Sequence, residues 1–319
     1  MNRNLANTDI SSIFNIAKVF SILSVVLAHS RLNDGSFSSA LAERIGSLGV
    51  ITFFFISGYF FNVSKYGVVS FFKKKINSIF IPWLFLGSLV FAVSSQPKNL
   101  MSWFNWIIGN GTYLYYLTIL IFCYLIFSFL KRKTIAYFFI FTTIISLFLT
   151  SFDFFGYSKM QNINNYLNPF NWIGFFSLGY VLKDKAAGIF YFLNKNVFYI
   201  LVFYFLFVVA SVKVENEYGY FSKLAIPNEI LGMIAIFSIS TLKIFRRENI
   251  IRISDFTFTI YLIHFLTFPF GRFLVKNSWT QFINPIIYIL ICVLLIVTGK
   301  YISNKLGLNR MYSTLIGIR

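Results

Sequence analysis

The sequence predicts an all-α membrane protein, a polytopic bundle of about ten transmembrane helices with both termini in the cytoplasm. Of its 319 residues, 57% are hydrophobic and 12% are charged, whereas about a quarter of the residues in a soluble domain are charged. Ten apolar segments of roughly membrane-spanning length follow one another with only short loops between them. These predicted spans are residues 13–30, 45–63, 76–94, 112–130, 134–150, 167–182, 196–212, 228–245, 254–275 and 283–303.

The distribution of Lys and Arg predicts the orientation of these spans. When both termini are placed in the cytoplasm, 19 of the 28 basic residues lie on the cytoplasmic side, eight lie outside, and Lys18 lies within the first span. Such an excess of positive charge on cytoplasmic loops is the usual pattern of multi-pass proteins. The net charge of +18 is therefore spread over short loops, which argues against a nucleic-acid partner and for a lipid bilayer as the surroundings.

The sequence predicts one domain and no metal site. No linker rich in Pro, Gly or Ser divides residues 1–319, which we interpret as a single transmembrane domain without an appended soluble domain. The two cysteines, Cys123 and Cys292, both lie in apolar segments and lack the spacing of metal ligands. We therefore expect both to be small buried hydrophobic side chains.

The first predicted span carries two polar residues on one helix face. Residues 14–30 read FNIAKVFSILSVVLAHS, with Lys18 near the start and His29 near the end. Their separation of eleven residues corresponds to three helical turns plus roughly 20°, and to about 16 Å along the axis. A lysine inside a membrane helix costs roughly 2.5–3.5 kcal/mol on insertion scales, which favours a functional role. Two other interpretations stay open: that Lys18 reaches the cytoplasmic headgroups by snorkelling, and that His29 is an interfacial or packing residue.

Small and basic residues mark the next two spans. In the second span, Ser57 and Gly58 form a small pair that lets another helix or a ligand come close to the backbone, with helix packing as the simpler interpretation. At the start of the third span stand Lys73, Lys74 and Lys75. These lysines either signal orientation or act as point charges for the phosphates of an anionic ligand.

The other titratable residues limit the chemistry that the chain can perform. The second histidine, His264, falls near the middle of the ninth span, where it faces a cavity or braces neighbouring helices. None of the ten acids lies deep inside a predicted span, which argues against a proton-coupled transporter. The acids nearest to His29 on the outer side are Asp34 and Glu43.

Five motifs occur in order along the chain. They are the basic residue and histidine of the first span, FFISGY at residues 54–59, the lysine cluster followed by Ile81 and Pro82, LYYL at residues 114–117, and IYLIH at residues 260–264. Together they resemble the acyltransferase-3 family, integral membrane enzymes that commonly O-acylate cell-surface sugars. The resemblance covers essentially the whole chain. Three positions depart from it: Asn15 stands where the family often has Asp, Lys18 where it usually has Arg, and Ser78 where many members have a basic residue.

The resemblance implies an O-acyltransferase of the bacterial cytoplasmic (inner) membrane. Its donor would be a cytoplasmic acyl-CoA, most often acetyl-CoA, and its acceptor a hydroxyl of a cell-surface glycan, including a lipid-linked one. His29 would be the catalytic residue, as a general base or a transient acyl carrier. The supporting residues would be Lys18, Lys73, Lys74 and Lys75 for donor binding, Ser57, Gly58, Tyr59, Tyr261 and His264 along the channel, and Asp34 or Glu43 as the acid partner that fixes the tautomer of His29.

Two functions of other classes stay open. A transporter or flippase for a lipid-linked glycan or another anionic substrate would use the same basic mouth without an acyl donor. Internal repeats would favour it, and the sequence shows none. A non-enzymatic assembly partner in the envelope would make both histidines dispensable.

Overall fold

The described part of the chain consists of helices joined by short loops. The structure, a computed structural model, describes residues 7–32, 34–63, 65, 67–130, 132–156, 164–215, 219–271 and 279–318. Within these ranges there is no strand. The α-helices are α1 Asn7–Ser30, α2 Phe37–Gly46, α3 Leu48–Tyr59, α4 Val68–Lys75, α5 Ile81–Val93, α6 Leu100–Ile108, α7 Tyr115–Phe129, α8 Lys133–Ser151, α9 Ile173–Leu182, α10 Ala186–Lys195, α11 Val197–Val214, α12 Ala225–Ser240, α13 Glu248–Ile263, α14 Phe268–Gly271, α15 Asn284–Lys305 and α16 Asn309–Ile316.

Six helical segments within the described residues are long and apolar enough to cross a membrane, so the protein is an all-helical, multi-pass membrane protein. They are Asp9–Ser30, Phe37–Tyr59, Val68–Val93, Lys133–Ser151, Val197–Val214 and Thr280–Lys305. Two further predicted spans correspond to the shorter apolar helices α7 and α12.

The remaining two predicted spans are interrupted or short. The span predicted at 167–182 contains α9, which has only 10 residues and follows two 3-10 turns. The span predicted at 254–275 changes from α-helix to a 3-10 turn at His264–Leu266, and its residues 272–275 lie outside the described part of the chain. Helix length alone therefore supports six of the ten predicted spans.

Helix α1 lies at the centre of the bundle, where it packs against α2, α3, α12, α13 and α15. Phe14, Ile22 and Val26 on α1 are fully buried. By contrast, only 17% of the residues of α11 are buried, and the side chain of Phe203 on α11 is 59% exposed. A helix that exposes large aromatic side chains is suited to contact with lipid, so α11 lies at the periphery and α1 in the interior.

Two glycines allow α3 and α9 to pack with their backbones in direct contact. Gly58 on α3 faces the backbone of Phe176, and Gly179 on α9 faces the backbone of Phe55. A Cβ atom at either position would overlap those backbone atoms, so only glycine fits. The structure therefore gives Gly58 a helix-packing role.

The lysine-bearing helix contains a π-helical turn just before a proline. Helix α4 is followed by the π turn Ile76–Phe80, and Pro82 lies in the first turn of α5. A proline lacks an N–H group and its ring clashes with the carbonyl of the preceding turn, so a wider turn accommodates it. The membrane-length segment consequently begins at Val68, earlier than the predicted start at residue 76.

An ion pair between Arg44 and Glu215 is buried inside the bundle. The side chains are 1% and 9% exposed, and Arg44 Nη2 donates to Glu215 Oε2. Arg44 Nη1 also donates to Ser222 Oγ over 2.7 Å. The carboxylate of Glu215 accepts the backbone N–H groups of Lys223 and Leu224. Two charges, which burial would otherwise make costly, thus connect α2 to the segment that leads into α12.

We predict that Arg44→Met lowers the free energy of unfolding by about 3–5 kcal/mol, because removal of one partner leaves a buried charge uncompensated. The loss is measured as a decrease in the Tm of the detergent-solubilised protein. The control is Asp184→Asn, which breaks the exposed pair between Lys133 and Asp184 and should change the Tm little. Equal decreases in the two variants would contradict a structural role for the buried pair.

Candidate active site

His29 lies on the wall of a cavity of about 410 Å³, which we call the histidine cavity. The side chain is exposed to this cavity near the end of α1. Aromatic side chains are the largest group in the wall, and a few polar groups are placed to orient a ligand. The aromatic lining residues are Trp106, Tyr113, Tyr115, Tyr166, Tyr220, Tyr261 and Phe265, and the charged or amide-bearing ones are Arg31, Glu43 and Asn164.

An ion pair between Arg31 and Glu43 lines the histidine cavity. Arg31 Nη2 lies 3.1 Å from Glu43 Oε1, and Arg31 Nη1 donates to the carbonyl oxygen of Ala28 over 2.6 Å. Asp34 lies in the exposed loop after α1, where hydrogen bonds from the side chain and backbone of Ser36 hold its pKa below the usual value. Of the two predicted acid partners, only Glu43 reaches the cavity, and its carboxylate is paired with Arg31.

His264 lies behind the cavity wall. It is fully buried in the 3-10 turn that follows α13, and its ring centroid is 5.4 Å from that of His29. Its Nδ1 lies 2.8 Å from the carbonyl oxygen of Tyr261, which places a proton on Nδ1 and leaves Nε2 as an acceptor in the neutral ring. In the described part of the chain Nε2 has no hydrogen-bond partner. His264 is therefore placed as a support for the wall next to His29.

Two buried tyrosines connect α13 to the loop before α7. The hydroxyl of Tyr113 donates to the carbonyl oxygen of Leu262 over 2.7 Å, and the hydroxyl of Tyr261 donates to the carbonyl oxygen of Tyr113. The ring of Tyr113 also stacks on Phe265, with centroids 4.5 Å apart. Because each buried hydroxyl has a backbone acceptor, this link is fully hydrogen-bonded and holds the wall in one arrangement.

Lys18 lines a second cavity, of about 400 Å³, which we call the lysine cavity. Its Nζ donates to Asn15 Oδ1 over 3.1 Å, and Asp255 lines the same cavity. The ammonium group therefore faces a space that is also lined by an acid and several hydroxyl groups. Asn15 still supplies an oxygen acceptor to the basic residue, although it carries no negative charge.

The three lysines of α4 diverge, because successive residues of a helix point about 100° apart. Lys75 lines the lysine cavity, where its Nζ donates to the hydroxyl of Tyr124 over 3.3 Å and lies over the Tyr124 ring. Lys74 lines a third cavity, of about 590 Å³, which we call the C-terminal cavity. Lys73 is exposed and lines none of these three cavities. The predicted donor-binding lysines therefore separate into two cavities and one surface position.

The histidine cavity and the lysine cavity meet at Tyr261, which lines both. The rings of Tyr113 and Tyr116 flank it, with centroids 5.6 Å and 5.5 Å from its own. Tyr116 also lines the lysine cavity, and its hydroxyl lies 3.4 Å from Ser57 Oγ. An imidazole and a group of cations thus occupy opposite sides of one aromatic wall.

Tyr59 is a predicted site residue that the structure places elsewhere. It lines none of the three cavities, and its ring packs on Phe14 with centroids 4.2 Å apart. The three residues of the SGY segment therefore have different surroundings: Ser57 lines a cavity, Gly58 lies at a helix contact and Tyr59 takes part in aromatic packing.

Glu229 is a buried acid that the sequence did not reveal. It lies in the second turn of α12 and is 1% exposed, and neither carboxyl oxygen has a hydrogen-bond partner among the described residues. Its position at the edge of the eighth predicted span concealed its burial. Across the described ranges, no three His, Cys, Asp or Glu side chains are grouped to hold a metal ion.

Comparison with known proteins identifies one family. The family model described as an acyltransferase domain matches residues 12–304, nearly the whole chain. The match includes every lining residue of the histidine cavity and all those of the lysine cavity except Gly317. Among curated proteins and among solved structures, no match is found.

We predict that diethylpyrocarbonate modifies His29 and leaves His264 unmodified in the folded protein, because only the first imidazole is accessible from a cavity. The chain contains only these two histidines, so mass spectrometry of peptides assigns the label directly. The denatured protein, in which both rings should react, is the control. Faster modification of His264 than of His29 would contradict the described geometry.

Proposed function

The chain belongs to the acyltransferase-3 family, and we propose that it moves an acetyl group from cytoplasmic acetyl-CoA to a hydroxyl of a cell-surface glycan such as O-antigen, capsule or exopolysaccharide. The observation that carries the proposal is the pair of cavities that meet at Tyr261. In the proposed topology, ten spans cross the bacterial inner membrane with both termini inside. The lysine cavity then faces the cytoplasm and the histidine cavity faces outward.

The lysine cavity supports a donor that carries phosphates. Lys18 and Lys75 line it, and both ammonium groups also have an oxygen partner that orients them. Cations of this kind attract phosphate groups as point charges. The thin pantetheine arm of acetyl-CoA would then extend along α1 past Tyr261, over the roughly 16 Å that separate positions 18 and 29 of a helix.

The histidine cavity supports a sugar acceptor. Its aromatic side chains offer flat apolar surfaces for the C–H faces of a pyranose ring, while Arg31, Glu43 and Asn164 offer hydrogen bonds to hydroxyl groups. The ion pair of Arg31 with Glu43 holds both groups in place at the cavity wall. A lipid-linked glycan presented at the outer face fits this combination.

His29 is the proposed catalytic residue. As a general base it takes the proton of the glycan hydroxyl while that oxygen attacks the thioester carbonyl carbon. The tetrahedral intermediate then collapses, the carbon–sulfur bond breaks, and the leaving thiolate receives the proton from the imidazolium. The products are the glycan ester and free CoA. In the carrier route, a nitrogen of His29 displaces the thiolate first, and the glycan hydroxyl then attacks the acyl-imidazole.

The decisive experiment incubates the purified protein with acetyl-CoA labelled in the acetyl group and with a glycan extract. The proposal expects label in the glycan and release of free CoA in equal amounts. A transporter or flippase would move the glycan across vesicle membranes without consuming acetyl-CoA, and that result would replace the proposal.

We predict that His29→Ala reduces acetyl transfer to the background level, because the reaction loses its base or carrier, while the protein still inserts and folds. Glycan acetylation is measured in membranes that contain equal amounts of each variant. Asp34→Asn is the matched control, because Asp34 lies near the same helix end but outside the cavity. Normal acetylation by His29→Ala would remove this residue from the mechanism.

We predict that Lys18→Ala raises the apparent KM for acetyl-CoA by about tenfold, because a charge-assisted contact to phosphate is worth roughly 1.5–3 kcal/mol. Lys73→Ala, which removes a lysine outside the three cavities, is the control and should leave the KM unchanged. An unchanged KM in Lys18→Ala would show that this ammonium group does not contact the donor.

A further inference from the structure

The C-terminal cavity lies beside the lysine-bearing helix and is lined by two cations. Lys74 contributes one, and Arg310 on α16 contributes the other. The hydroxyl groups of Ser78, Ser313 and Thr314 line the space between them, and no Asp or Glu occurs in this lining. Two cations with several hydroxyl donors and without an acid are a setting for an anion with several oxygen atoms.

The wall that carries Arg310 is outside the region that matches the family. The match ends at residue 304, whereas α16 begins at Asn309. The segment is nevertheless well anchored, since Thr259 Oγ1 donates to the carbonyl oxygen of Ile316 over 2.6 Å. The hydroxyl of Tyr312 donates to the carbonyl oxygen of Ile296 over 2.8 Å. Contacts to α13 and α15 thus hold α16 in a defined place.

A glycine ends α16 at the junction of two cavities. Gly317 has φ +76, a left-handed conformation that favours glycine. It lines both the C-terminal cavity and the lysine cavity, and so does Ser78. The three cavities therefore form a series in which neighbours share residues, from Arg310 through Lys18 to His29.

The guanidinium of Arg310 is available for a ligand. The residue is exposed, and its side chain forms no ion pair among the described residues. The hydrogen bond from Thr314 Oγ1 goes to the backbone carbonyl oxygen of Arg310 and leaves the guanidinium group unoccupied. An arginine presents a planar fork of donors that matches two phosphate oxygens at once. Lys18 and Lys75, which stand deeper, have no such fork.

We infer that α16 completes a phosphate-binding site in which Arg310 and Lys74 grip the nucleotide end of the acyl donor at the start of the series of cavities. The inference rests on the proposed function for the identity of the donor. The shared chemistry is a phosphate ester at the membrane surface, which a nucleotide or an anionic lipid headgroup can supply. A segment outside the family match would then determine how tightly this chain holds its donor.

The test measures binding of adenosine 3′,5′-bisphosphate, which carries phosphates but no acyl group, to the full chain in neutral detergent by calorimetry. We expect Arg310→Gln and Lys74→Gln each to raise the Kd by at least about tenfold, and Arg310→Lys to restore part of the affinity. Lys305→Gln is the control, since Lys305 is exposed on the neighbouring helix and lies over the Tyr301 ring instead of in the cavity. Wild-type affinity in Arg310→Gln would overturn the nucleotide site.

A second arm distinguishes the lipid source. The protein is placed in vesicles of phosphatidylcholine with or without phosphatidylglycerol, and bisphosphate binding is repeated. If phosphatidylglycerol competes with the bisphosphate, and this competition disappears in Arg310→Gln, the phosphate site is supported with a lipid as its occupant. If Arg310→Gln changes binding neither in detergent nor in vesicles, the site is overturned. If the protein transfers acetyl groups but its bisphosphate binding does not depend on Arg310, the inference is rejected and the proposed function is not. If binding depends on Arg310 but no acetyl transfer occurs, the proposed function is rejected and the phosphate site is not.

Discussion

The buried pair of Arg44 and Glu215 is the constraint on which the site depends most. Each charge would be very costly alone in the interior of a membrane protein, so the two can only be buried together. Glu215 also accepts backbone N–H groups from the segment that precedes α12, and Asn228 at the start of α12 donates to the carbonyl oxygen of Arg44. Gly219 and Tyr220 of that segment line the histidine cavity. An electrostatic requirement for folding therefore sets the shape of one side of the site.

The same principle organises the aromatic wall. Tyr113 and Tyr261 bury their hydroxyl groups and satisfy them with backbone carbonyls on opposite elements, at the place where α13 changes into a 3-10 turn. Near such a change of helix type, a backbone carbonyl can accept a hydrogen bond from outside the helix. Here the carbonyl oxygen of Leu262 accepts one from the hydroxyl of Tyr113. The wall between the two cavities thus depends on the irregular end of α13, and His264 is the first residue of the 3-10 turn at that end.

The sequence was sufficient for the features that arise from local periodicity. The apolar segments predicted the helices, the spacing of Lys18 and His29 predicted one face of α1, and the cysteines are buried as expected. It was insufficient where distant residues meet. Arg44 is buried by an ion pair with a residue 171 positions away in the sequence, and Glu229 is buried by helices whose packing local periodicity does not reveal. The sequence groups Lys73, Lys74 and Lys75 as one cluster, but their helix points the three side chains in different directions. Lys75 and Lys74 line different cavities, and Lys73 lies on the surface.

The shared position of Tyr261 has a consequence for the membrane itself. A protein with polar cavities on both sides of a bundle risks becoming a path for ions, since charged groups and water lower the barrier that hydrocarbon provides. Here the two cavities share Tyr261, whose buried ring is flanked by Tyr113 and Tyr116. In the proposed topology, the cluster of Tyr113, Tyr116 and Tyr261 therefore has two tasks, since it must let the thin arm of the donor pass and still keep ions out, and a smaller side chain at position 261 would widen the passage between the two cavities.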